Sequence, residues 1–352
     1  MENQPALNSK KQFEKSFAIS NVLLLLSGIK LSRNPWNKFI DHFVNYQLIY
    51  YNFIILHSVI VGEIYHVIDC IETGKSLVEL SFNLPCITVC VLATTKLVFL
   101  YVNKNILIDL FYKLKEVHTT NDGIGTENDE IDNENDKKIN ENEEIITKTN
   151  KIVQDSVKLL KFVSLLMVSI SVIVQITFCS IPGVLMVYIY YHTGELVIIY
   201  PYLVKYHFFD AYAAWWWPLE YTHQILATIV TCTKYFGTDI LFFGLCSYIE
   251  MHFRLLSLQF ENKQFLSKSQ TKKNLAKAVR RHQELIHLVN QLESLFSKSN
   301  LFHMVSASFL ICLSAFIITY PLPSLHACTF YLSVLCICVP YFLQIIQPFS
   351  RD

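Results

Sequence analysis

The chain is short of charge, of glycine and of any signature that carries chemistry. Only 16% of its 352 residues are charged and 9 are glycine. It has no glycine-rich phosphate loop and no nucleophile–base constellation, so an enzyme is not expected. The 10 cysteines are scattered through apolar runs, without Cys-x-x-Cys or Cys/His metal spacing, and neither metal nor cofactor is expected. Cys70 and Cys328 are expected to stay reduced. No Asn-x-Ser/Thr sequon occurs. The formal net charge is +0, so no basic field points to nucleic acid. What the chain does have is apolar mass: 52% hydrophobic and 14% aromatic residues, too much for an ordinary soluble fold. The expectation is an all-α, polytopic membrane bundle.

Six spans are expected from runs long enough to cross a bilayer. Residues 1–38 form an N-terminal segment in which Phe17 to Leu31 makes a membrane-surface helix rather than a signal peptide. Residues 39–102 hold the first two spans. Glu63 and His66 are expected at the membrane interface, Pro85 kinks the second span, and Lys96 snorkels to its boundary. In the 103–154 loop, Thr119 to Asn150 is rich in Asn, Asp and Glu and is expected to be disordered; its spacing does not fit a calcium loop. Residues 155–249 hold the third span, Leu159 to Ile181, closed by Pro182-Gly183, and the fourth, in which Lys234 and Asp239 must face helices or water. The loop between them is crowded with Tyr and Trp, and either an interfacial belt or a ligand vestibule accounts for that. Residues 250–300 are basic. Residues 301–352 hold the last two spans, Leu301 to Tyr320 and Thr329 to Ile346. Lys and Arg crowd the start of the chain and the 103–155 and 250–300 loops, which places these in the cytoplasm with the N-terminus.

From Leu275 an amphipathic helix runs without a breaker into the fifth span. Its apolar stripe includes Val279, His282, Ile286, Val289, Leu292 and Phe296, a face that needs a partner outside the membrane.

Arg-Arg-His-Gln-Glu-Leu-Ile at 280–286, Leu-Glu-Ser-Leu-Phe-Ser at 292–297 and Ser-Phe-Leu-Ile-Cys at 308–312 resemble the late region of insect odorant receptors. Tyr-Thr-His-Gln-Ile-Leu-Ala at 221–227 and Thr-Asp-Ile-Leu-Phe-Phe-Gly-Leu at 238–245 are similar to that family's fourth span, and Asn21 to Trp36 adds a weaker match. The resemblance implies inverted topology and a ligand-gated cation channel, in which an odorant-binding subunit joins a common olfactory co-receptor in a heteromeric tetramer within membrane lipid of sensory neurons. It also implies seven spans, whereas this sequence is expected to stop after the sixth, as a truncated form. The 275–296 helix would then serve assembly. A gustatory-type receptor, a non-conducting truncated isoform and, more distantly, a secondary transporter are the alternatives. A small volatile ligand needs an apolar pocket with one or two polar contacts. Candidate positions, taken from helix faces, are Tyr65, Asn83, Cys86, Ile87, Cys179, Gly183, Gln224, Ile225, Thr228, Phe316 and Tyr320.

Overall fold

The computed structural model describes residues 4–33, 38–75, 77–121, 135–261 and 268–318. All regular structure among them is helical. In chain order the helices are α1 (Gln4–Ser16), α2 (Ala18–Leu26), α3 (Lys38–His42), a π-helical turn (Phe43–Gln47), α4 (Leu48–Glu72), α5 (Leu77–Val102), α6 (Lys104–Asn121), α7 (Asn135–Thr193), α8 (Trp217–Glu261) and α9 (Lys268–Ile318). Four of them, α4, α5, α7 and α8, are long and apolar enough to cross a membrane. The expected sixth span lies outside the described residues.

The bundle is built around α8, which packs against α2, α4, α5, α7 and α9. Its mid-helix charges Lys234 and Asp239 are therefore enclosed by helices. Two glycines two turns apart let α2 lie close: a Cβ on Gly244 would meet the Phe17 ring at 2.7 Å, and one on Gly237 would meet Leu23 at 3.0 Å. The larger apolar core gathers α1, α2, α5, α6, α8 and α9 around Phe13, Phe17, Leu24, Leu107, Tyr235 and Tyr248. A second core fills the other end of the bundle, where α4, α5, α7 and α8 meet the 194–216 connection.

Several expectations change here. Residues 135–150 are helical, not disordered, because they extend the apolar helix that follows them; adding residues to a nucleated helix costs little, and Glu144–Lys148 at 2.7 Å supports the turn. Pro182-Gly183 does not end the third span, since α7 runs on to Thr193. The Tyr221 hydroxyl enters the ladder there, accepting from the Gly183 N–H at 3.1 Å and donating to the Cys179 carbonyl, so it restores both groups the opened turn leaves behind. Lys96 does not snorkel. It is buried, paired with Asp239 at 2.6 Å and seated 4.0 Å over the Tyr235 ring, and Tyr235 in turn bonds His303 at 2.8 Å. Glu63, expected at the interface, is wholly enclosed.

Candidate ligand-binding site

The 194–216 connection leaves α7 at Gly194, whose positive φ of 73° turns the chain back, and then folds down into the bundle end. Three fastenings hold it. The Lys205 N–H donates to the Gly62 carbonyl at 3.0 Å, the Tyr202 N–H donates to Gln224 Oε1 at 3.0 Å, and the Leu203 carbonyl accepts from Asn83 at 3.0 Å. Because Gly62 has no side chain, the Tyr206 ring rests directly on α4, where a Cβ would meet it at 2.8 Å. Tyr200, Tyr202, Val204 and Ala211 are buried as a result, while Phe208 and Trp215 face outward. The inner tyrosines of the connection line the bundle end, and its outer rings are exposed.

Within this apolar wall the polar groups form one connected set. Gln224 donates to Glu220 at 2.9 Å while accepting from the Tyr202 backbone, and Tyr202 and Thr228 hydroxyls meet at 3.0 Å. Thr228 donates to the Gln224 carbonyl at 2.9 Å, which leaves Tyr202 as the donor to Thr228. Glu220 also accepts from the Tyr206 hydroxyl at 3.2 Å. Asn83 bonds His66 at 2.9 Å beside the same loop. An apolar, aromatic enclosure with a few fixed polar atoms is what a small, mostly apolar ligand needs.

Of the sequence candidates, Asn83, Cys86, Cys179, Gln224 and Thr228 come together around Tyr202. Gly183 meets the set only through Tyr221. Ile87 and Ile225 are half-buried on α5 and α8. Tyr65 and Phe316 are 43% and 38% exposed and do not join it, because they sit on outward faces of α4 and α9. Tyr320 lies outside the described residues. Tyr200, Tyr202 and Tyr206 belong to the loop whose tyrosines allowed a ligand vestibule, whereas Glu63 and Glu220 were not among the candidates. A separate open cleft of about 400 Å³, lined by Tyr46, Tyr101, Val102, Lys104 and Asn105, lies at the opposite end of α4 and has no such polar set.

The model of the 7tm Odorant receptor family matches residues 76–345. The chain belongs to this family. No curated protein matches it significantly. Among solved structures, the insect olfactory receptor OR5 from Machilis hrabei is similar at 14% identity with a TM-score of 0.69, over 95% of this chain and 79% of that one. The same receptor in complex with eugenol is similar at 14% identity and a TM-score of 0.73, over 97% of this chain and 79% of that one. The likeness establishes a shared helical membrane fold.

In this odorant receptor the 275–296 stripe divides in two. Ala278, Leu285, Leu288, Leu292, Leu295 and Phe296 are buried against the chain's own core, with Phe296 4.9 Å from Phe242. Leu292 and Phe296 are thereby spent within the chain. Val279, Ile286 and Val289 remain 45%, 43% and 37% exposed, and His282 is exposed with its edge toward Phe253.

Proposed function

We propose that this receptor binds a small volatile ligand among the inner tyrosines of the 194–216 connection and, joined to an olfactory co-receptor in the plasma membrane of sensory neurons, gates a cation channel. The observation that carries the reading is the Tyr202–Gln224–Thr228 set, three polar residues held in register inside an aromatic wall. The solved receptor that carries eugenol has the same fold and supports a ligand of this kind. With the 194–216 connection on the outer side, the basic 250–300 segment is cytoplasmic and an odorant reaches the site from outside. Coupling runs along α8: a ligand that displaces Tyr202 from Gln224 acts on the helix whose Asp239 and Tyr235 engage α5 and α9 through Lys96 and His303. Val279, Ile286 and Val289 supply the subunit contact.

Voltage-clamp recording in cells expressing this chain with an olfactory co-receptor, beside the co-receptor alone, tests the proposal over an odorant panel. Odorant-evoked currents beyond those of the co-receptor support it. Silence at confirmed surface expression with the partner refutes it.

A further inference from the structure

Glu63 is a buried carboxyl at this end of the bundle that nothing among the described residues satisfies. It lies on the inward stripe of α4 with Asn52, Leu56, Val59 and Cys70, is 0% exposed, and neither carboxyl oxygen has a hydrogen-bond partner among the described residues. Leaving a carboxyl buried and unpartnered costs far more than leaving one unmade bond at a surface. The buried cation on α8 does not relieve it. Lys234 reaches the Asn52 carbonyl at 3.5 Å, about three turns of α4 away from Glu63. Lys205, in the loop, is held outside by Asp69.

The carboxyl instead lies on the turn of α4 that the loop's tyrosines cover. It is close enough to Cys90, Tyr202 and Tyr206 to interact with them electrostatically, and Tyr206 covers the backbone of the adjoining Gly62. Beyond Tyr206 stands a second buried carboxyl, Glu220, whose ion-pair contact among the described residues is His223 at 3.6 Å. Two enclosed carboxyls near tyrosine rings make an aromatic surround rich in acceptor oxygens. An organic ammonium fits that surround on both counts, since carboxylate oxygens accept its N–H groups and ring faces attract its charge.

We propose that the ligand of this site is a small organic amine bound as its ammonium, with Glu63 as the acceptor that anchors the nitrogen. The proposal rests on the odorant-site reading above. The amine lies beside the Tyr206 ring at Glu63, and the apolar remainder lies against Tyr202 and Phe178.

The test uses the full chain with its co-receptor and three probes of one shape: benzylamine, benzyl alcohol and the neutral N-benzylacetamide. The expected result is a half-maximal concentration for benzylamine at least about tenfold below that of either neutral probe, the ratio one charge-assisted hydrogen bond supplies. Glu63→Gln should remove that preference, because the amide takes the carboxylate's charge away from the ammonium. Currents to benzyl alcohol with no preference for benzylamine would overturn the amine assignment and leave the odorant reading standing. An unchanged preference in Glu63→Gln would also overturn it. Silence to all odorants would remove both. Because the wild-type ranking of the three probes decides by itself, a variant that fails to reach the surface does not protect the proposal.

Discussion

At the scale of single residues, the most consequential contact outside the ligand site is Lys96 with Asp239, both buried at 2.6 Å. Their attraction is strong, but so is the desolvation each suffers, and the asymmetry decides the outcome of mutation. Lys96→Met is expected to destabilise the detergent-solubilised receptor by about 3–5 kcal/mol, because it leaves Asp239 enclosed and unpaired. Adding Asp239→Leu should recover most of that loss, and thermal unfolding of the two variants compares them. His118 makes a second prediction. Both ring nitrogens are buried without partners among the described residues, between the Phe13 and Tyr248 rings, and burial, then the nearby Arg281 charge, lower its pKa to about 4. The unfolded chain takes up a proton near the ordinary histidine value, whereas the folded one resists it. Stability from this site is therefore present above pH 6.5 and declines by roughly 1 kcal/mol per pH unit down to about pH 4. Unfolding midpoints across that window should fall in the wild type and fall less steeply in His118→Phe, whose ring keeps the aromatic contacts.

At the scale of elements, the site depends on how closely the 194–216 connection approaches α4. Gly62→Ala would place a methyl 2.8 Å from the Tyr206 ring, and neither the helix backbone nor a tyrosine fastened to Glu220 yields easily. The loop is expected to lift, which limited proteolysis reads as faster cleavage within residues 194–216 at an unchanged rate elsewhere. This approach was not legible in the sequence, although its parts were. The tyrosines were visible and so was Gln224, but the pairing of Tyr202 with Gln224 and of Lys205 with Gly62 is set by tertiary docking, which local periodicity does not encode. Likewise Lys96 and Asp239 each stood out as costly charges, yet their partnership spans 143 residues of chain. The long apolar helices were legible because an uninterrupted apolar run is itself the cause of a span. Pro182 misled for the opposite reason, since Tyr221 on another helix supplies the groups that proline and glycine disturb.

At the scale of the whole molecule, α9 offers a surface that the chain does not use. One side of its stripe is buried in the core through Leu285, Leu288, Leu292 and Leu295, and the adjoining side presents Val279, Ile286 and Val289 to the surroundings. The two sides call for different outcomes. Val279→Asp with Val289→Asp should leave expression and the unfolding midpoint of the isolated subunit unchanged and reduce co-purification with the co-receptor by at least about tenfold. Leu292→Asp should instead lower the yield of folded chain, because it puts a charge into the subunit's own core. Periodicity placed Val279, Ile286, Val289 and Leu292 on one face; only the packing of α9 against α5, α6 and α8 separates Leu292 from the rest.

The central claim, that ligand binds at the tyrosine-lined bundle end, is tested most directly by the concentration–response curve of Gln224→Leu beside that of Tyr65→Ala, both normalised to surface level. Gln224 holds the loop through the Tyr202 N–H, whereas Tyr65 faces away from the set. The account predicts a half-maximal concentration raised about tenfold or more for Gln224→Leu, with Tyr65→Ala within about twofold of wild type. Equal curves for Gln224→Leu and wild type would contradict it.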